Sequence, residues 1–162
     1  MNETDLEIDF TCPDEADEIL EVTASAGVFS AEELDTVREL LDGYFDDPEE
    51  SGYNFLTCRQ NGRVAGYACW GPRDLSGNGY DLYWICVAIE LQGKGAGRAL
   101  MRRVEQEVLA RAGVWIIIET SDTEPYAQAR RLYERCGYQK AMVLNDFYHD
   151  GDGLVVYTKR LR

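Results

Sequence analysis

A single histidine, His149, is all the imidazole in this chain of 162 residues. Neither Cys86 nor Cys136 therefore has a histidine in its local pattern to activate it as a nucleophile. His149 itself lies in a loop-like YHDGDG stretch, where solvation is its expected fate. The five cysteines (Cys12, Cys58, Cys69, Cys86, Cys136) are odd in number and widely spaced. No CxxC occurs, so neither a zinc site nor a redox pair is indicated, and reduced thiols in a cytoplasm are the simplest reading. No apolar run reaches the ~18 residues that a membrane helix needs. The opening MNETDLEIDF has no basic stretch and no apolar stretch, and does not read as a secretory signal. Cations are scarce at the start. Residues 1–50 hold 18 Asp and Glu against one basic residue, Arg38, a net of −17, whereas residues 51–162 hold 12 acids and 15 Lys and Arg, a net of +3, which together give −14. Such a field repels nucleic acid and anionic membrane and could attract a cationic partner, although acidic helices are often simply solvated surface.

What is present is enough for one globular domain with a real core: hydrophobic residues make up 45% of the chain. LEIDF (6–10) alternates and reads as an opening strand. A helix follows from Pro13 and Asp14 to about residue 26, with Ile19, Leu20 and Thr23 on one face. FSAEELDTVRELLDGYF carries a capping box, Ser30 with Glu33, ahead of the stripe Leu34, Val37, Leu40, Leu41. DDPEESG reads as a turn-rich connection. Residues 53–60 and 63–71 read as strands joined by Asn61-Gly62, the strongest hairpin signal in the chain. YDLYWICVAI (80–89) is nearly all apolar at its centre, as expected of a strand buried on both faces. A helix is predicted over residues 97–112, a second buried strand over 114–121, and a helix in PYAQARRLYERCGY stopped by Gly137. AMVLNDF and LVVYTK close the chain as a hairpin. A strand–helix–strand unit of this length implies one parallel pair. The expected architecture is thus a single α/β (α+β) domain spanning residues 1–162, with a mixed, mainly antiparallel sheet of about seven strands and about four helices.

The glycines of LQGKGAGRAL (91–100) sit between the strand and helix of that unit. A Walker A loop needs GxxxxGK[ST], but Lys94 is followed by Gly95, and no hydroxyl is placed for magnesium. Gly93, Gly95 and Gly97 are spaced GxGxG, not as the GxGxxG of dinucleotide folds. The stretch does fit Q-x-x-G-x-G, as Gln92, Gly95 and Gly97. At a helix start its free N–H groups can face a diphosphate, with Lys94, Arg98 and Arg102 adding charge. A plain strand–helix turn is the alternative.

The position of that loop, together with VAIELQGKGAGRALM (87–101), ARRLYERCGY (129–138) and the closing NDFYHDGDGLVVYTKRL, resembles the GNAT superfamily of N-acetyltransferases. The resemblance covers the chain from about residue 53 onward, and the opening strand and helices fit the same plan. It implies an enzyme moving an acetyl group from acetyl-CoA to a primary amine. It places the loop amides of Gln92, Gly93, Lys94, Gly95, Ala96, Gly97 and Arg98, with Ala99 close by, on the pyrophosphate. It places the backbone of Cys86, Val87 and Ile89 along the pantetheine arm, in a slot where that strand splays from the next. It places the Tyr133 hydroxyl near the thioester sulfur as general acid, with a core tyrosine as the alternative role. Tyr126 stands where many relatives carry Asn, which bears on one contact to CoA. Tyr138 is a neighbour with a stronger packing role.

The base is less marked. Glu119, at the end of a predicted buried strand, is the candidate, since partial burial can raise a carboxylate pKa. Asp81 and Tyr83 are rivals, and a water relay would need no single base. The acidic helices would help wall the acceptor site, so a cationic acceptor fits: a polyamine, an aminoglycoside-like compound, or a lysine or N-terminus on a protein. The resemblance leaves a homodimer open. The competing reading is a catalytically silent acyl-CoA-binding or regulatory module. A nucleotide-binding regulator is disfavoured by the failed Walker and dinucleotide patterns.

Overall fold

In a computed structural model describing residues 6–162, the alternating LEIDF stretch forms β1 (Leu6–Phe10) at one edge of a seven-stranded sheet. The first five residues of the opening stretch lie outside the described residues. The other strands are β2 (Asn54–Gln60), β3 (Arg63–Pro72), β4 (Gly79–Val87), β5 (Trp115–Ser121), β6 (Gln139–His149) and β7 (Asp152–Arg160). Their spatial order is β1-β2-β3-β4-β5-β7-β6. Every neighbouring pair is antiparallel except β4 with β5. Asn61 and Gly62 take φ of 52° and 74°, the two positive values that a tight hairpin turn demands.

Five helices flank the sheet: α1 (Ala16–Ser25), α2 (Ala31–Asp46), α3 (Pro48–Ser51), α4 (Ala96–Ala110) and α5 (Ala127–Arg135). The box that starts α2 is complete: Glu33 N–H donates to Ser30 Oγ at 3.2 Å, and Ser30 N–H donates to Glu33 Oε2 at 2.7 Å. The short α3 replaces the turn that DDPEESG predicts. It is helical because Asp47 Oδ1 accepts from the N–H groups of Glu49 and Glu50, and Pro48 presets the first φ. Helix α4 ends at Ala110, short of the predicted 112, where Ala112 turns to φ 59°.

The core lies in two layers. Trp70, Leu100, Met101, Ile116, Ile118 and Tyr157 pack under α4 and α5, while Ile19, Val37, Leu41, Phe55 and Tyr67 pack under α1 and α2. Strand β3 feeds both, Tyr67 and Cys69 to one layer and Ala68 and Trp70 to the other. All of its residues but the terminal two are buried. The strand expected to be buried on both faces, β4, is not: Tyr83 is exposed and several of its neighbours are only half covered. The reason is that β5 leaves it midway.

Gly66 holds the far end of β4, past the point where β5 leaves it. It lies opposite Val87, and a Cβ on it would stand 2.7 Å from the Cys86 carbonyl oxygen and 3.2 Å from Val87 Cα. The end of β4 therefore rests directly on β3 backbone. Gly66→Ala is expected to push this end outward and to cost about 1–3 kcal/mol, the usual range for overpacking. Urea denaturation measures the loss, and it should be accompanied by weakened coenzyme A binding in the same variant.

Candidate active site

Strands β4 and β5 keep register at only three positions: Gly79 with Trp115, Tyr80 with Ile116, and Asp81 with Ile117. Beyond Asp81 they part, β4 staying on β3 as far as Val87 and β5 staying on β7 as far as Ser121. The fork is bridged by Arg73, whose Nη1 meets Asp81 Oδ1 at 2.6 Å and whose Nη2 meets Glu119 Oε1 at 3.4 Å. Burial pushes the Asp81 carboxyl above its ordinary value while Arg73 pulls it down. Between the strands opens a cleft of about 770 Å³. It runs from the start of α4, past Tyr133, to a wall made by Phe29, Trp84, Tyr126 and Tyr148. An open strand edge beside a helix start is where α/β sheets bind ligands.

At the α4 end the glycine loop presents backbone donors. After a single helical turn at Ile89–Leu91, Gly93 and Gly95 take φ of 74° and 97°, and Gly95 is the residue that caps α4. The first turn has no side-chain cap. The N–H groups of Gly93, Gly95, Ala96, Gly97 and Arg98 find no acceptor among the described residues. Three others in the loop are occupied: Gln92 donates to Ile89 O, Lys94 to Leu91 O at 3.4 Å, and Ala99 to Gly95 O at 2.9 Å. The Gln92 side chain also turns inward, its Nε2 donating to Val87 O at 3.0 Å. That bond ties the loop to the end of β4. Gly97 has a packing reason as well, since a Cβ there would meet Leu132 Cδ2 at 3.0 Å. The first turn contains no acid, and Arg98 and Arg135 line this end of the cleft. Unfilled N–H groups, a helix start and guanidinium side chains together suit a diphosphate.

Tyr133 lies midway. It is 5% exposed, its ring packs on Tyr138 and Tyr157, and it lines the cleft. Its hydroxyl makes no hydrogen bond to any described residue, unlike Tyr157, which donates to Glu134 at 2.9 Å. Burial pushes its phenol above the ordinary range, so the proton stays on at neutral pH. Tyr138 packs in the core and does not line the cleft. Cys86 and Cys136 border the cleft with thiols raised by burial, Cys86 to about 12, which leaves both protonated and unreactive.

The far end is aromatic and acidic. Phe29 packs edge-on against Trp84 at 5.1 Å and Tyr126 at 6.4 Å. The Tyr126 hydroxyl donates to Glu33 Oε1 at 3.3 Å, and burial followed by the Glu33 charge raises its pKa to about 12. Glu119 reaches the cleft, but its side chain is 48% exposed and paired with Arg73, rather than partly buried and unpaired. Tyr83 and His149 also line the cleft. Phe29, Trp84 and Tyr148 were not singled out from sequence, and Glu33 was read only as a cap. The signal for Phe29 was its place just before that cap. Nothing local marks Trp84, which shares an apolar strand with side chains that point elsewhere.

The model of the acetyltransferase (GNAT) family matches residues 16–138. This protein belongs to the GNAT acetyltransferase family. An uncharacterized N-acetyltransferase of Methanocaldococcus jannaschii is 29% identical over 143 residues, 82% of this chain and 88% of that one. A Desulfovibrio desulfuricans structure assigned to the same family superposes with a TM-score of 0.93 at 36% identity, covering 97% of this chain and 99% of that one. A Salmonella typhimurium protein of acetyltransferase type, solved with acetyl-CoA, shares the fold with a TM-score of 0.76 at 20% identity, covering 98% and 95%. This GNAT protein is thus an acyl-CoA-dependent N-acetyltransferase with acetyl-CoA as co-substrate, and the cleft's donors and open strand edge fit that molecule. Acetyl-CoA at a hundredfold excess over its Kd should stabilise the native state by about 2.7 kcal/mol. A melting curve with and without the ligand reads this as a rise in Tm. No shift at millimolar ligand would contradict the fit.

Proposed function

We propose that the whole chain, residues 1–162, acts as one domain that acetylates a cationic primary amine by direct attack, with Tyr133 as general acid. The observation that carries this reading is the unpartnered Tyr133 hydroxyl in the slot where β4 and β5 have parted. The free N–H groups of Gly93, Gly95, Ala96, Gly97 and Arg98 would hold the pyrophosphate of acetyl-CoA, with Lys94 and Arg98 adding charge. The outer edge of β4 at Cys86 and Val87, continuing to Ile89, would lie along the pantetheine arm. Gln92 acts through the loop's shape, because its side chain is committed to Val87. When bound, acetyl-CoA supplies an activated thioester carbonyl.

An acceptor ammonium entering the aromatic end meets Glu33 and Glu119. It must shed a proton before attack, since a free lysine-like amine has a pKa near ~10.4. Glu119, half exposed, would take that proton and pass it to solvent water. As the sulfur departs, Tyr133 would donate its proton to it, and the phenoxide would be restored by the proton that the attacking nitrogen loses as the amide forms. The acidic walls of Glu33 and Glu119 support a positively charged acceptor, and the five unpaired cysteines support a reducing compartment such as the cytoplasm. The silent-module alternative is less supported, because such a module would have no use for a phenol kept free at the slot.

Two variants test the reading. Gly95→Val puts a branched side chain at φ 97°, where only glycine sits without strain, and closes the approach to the loop. Calorimetric titration should show acetyl-CoA binding lost while the circular dichroism spectrum persists. Unchanged binding would make the loop a plain turn. Tyr133→Phe keeps the ring and removes the proton donor. On a panel of amines, kcat should fall about 10²–10⁴-fold, the usual contribution of a general acid. Acetyl-CoA affinity should be retained, because the phosphates are held elsewhere. Full activity would move the acid from Tyr133, and loss of binding would make it a packing residue.

A further inference from the structure

Helix α5 carries Tyr133 but is lightly covered: of its nine residues only Ala127 and Tyr133 are buried, and no side chain caps its start at Tyr126. The Tyr133 hydroxyl has no hydrogen bond of its own among the described residues, so its place in the slot follows from where the helix backbone lies. A side chain that fixes the start of α5 therefore fixes the phenol.

Arg130 does this. It stands one helical turn before Tyr133, on the same side of α5. Helical side chains lean toward the N-terminus, and Arg130 reaches back past the start of its own helix. Its Nη1 donates to the Ser121 carbonyl oxygen at 2.7 Å and to the Thr123 carbonyl oxygen at 2.8 Å. Ser121 ends β5 and lines the cleft. One guanidinium nitrogen thus joins the strand that bounds the slot to the helix that carries the phenol. A cation in the first turn opposes the positive end of a helix, so local helix stability does not account for Arg130. Nor does ligand contact, because Arg130 does not line the cleft.

The point it grips is firm. Ser121 is buried, its hydroxyl donates to Asp152 Oδ1 at 2.6 Å, and its Oγ accepts from the Thr123 N–H at 3.1 Å. Asp122 is joined to Gly153 twice: its N–H donates to the Gly153 carbonyl at 2.9 Å, and its Oδ1 accepts from the Gly153 N–H at 2.8 Å. These bonds fasten the turn after β5 to the start of β7. The last turn of α5 is tied to β7 as well, by the Tyr157 hydroxyl on Glu134 at 2.9 Å, and the Tyr157 ring packs on Tyr133 at 5.7 Å.

We propose that Arg130 is a positioning residue for acetyl transfer, which holds the Tyr133 hydroxyl in the slot by tying the first turn of α5 to the end of β5. The proposal rests on Tyr133 as the general acid.

Steady-state kinetics on one accepted amine, with an acetyl-CoA titration of each variant, tests it. Arg130→Met keeps the apolar stem and removes both bonds. Its kcat should fall about 10- to 10²-fold, the scale of a misplacement of about 1 Å. Acetyl-CoA affinity should stay at the wild-type value, because the phosphate donors lie at the start of α4. Arg130→Lys, whose ammonium can donate to both carbonyls, should recover most of kcat. In the Tyr133→Phe background Arg130→Met should cost nothing more, since the group it positions is gone. The melting shift with acetyl-CoA reports folding, and Arg130→Gln runs the same cycle if Arg130→Met is not folded. Wild-type kcat without the guanidinium would overturn the proposal. So would a loss that multiplies with that of Tyr133→Phe, or one that arises from weaker acetyl-CoA binding. Full activity of Tyr133→Phe alone would overturn the acid assignment and, with it, this role for Arg130.

Discussion

The cleft exists because β4 and β5 stay together for three residues and no more. A parallel pair joined along its full length would have closed the sheet and left no exposed strand edge. Each strand is instead held by its other neighbour, β4 by β3 and β5 by β7, so the separation leaves neither unsupported. Gly66 fixes the far end of β4, and Arg73 clasps the fork from the mouth side through Asp81 and Glu119. The glycine loop, Tyr133 and the aromatic wall all take their positions from this divergence.

Electrostatics divide the cleft along its length. At one end stand the α4 start, Arg98 and Arg135, all favouring anions. At the other stand Glu33, Glu119 and Asp152 among aromatic rings. Tyr133 lies between them with its proton held by burial. The cleft thus suits an anionic group at the first end and a cationic one at the other, with the protonated phenol between them.

Much of this was legible in the sequence. The element order, the Asn61-Gly62 hairpin, the Ser30–Glu33 box and the strand–loop–helix carrying the glycines all rest on short-range signals, and each appears in the fold. The burial of β4 was misjudged, because an apolar strand that loses its neighbour halfway reads like one that does not. The exposure of Glu119 was hidden for the same reason: its ion pair comes from Arg73, forty-six residues away in sequence. The loop amides could be proposed as a group, but which N–H groups are free depends on individual bonds such as Ala99 to Gly95. The Phe29–Trp84–Tyr126 wall joins three distant segments, and no local period marks it.

Glu33 divides its two oxygens between different tasks. One fastens the Ser30 N–H at the start of α2, and the other holds the Tyr126 hydroxyl across the cleft at a long 3.3 Å. Any group that bonds to the outer oxygen competes with the Tyr126 hydroxyl for a carboxylate whose other oxygen starts a helix. The helix start read from Ser30 and Glu33 is therefore also part of the cleft wall, and a single side chain fastens the beginning of α2 to the segment that carries Tyr126.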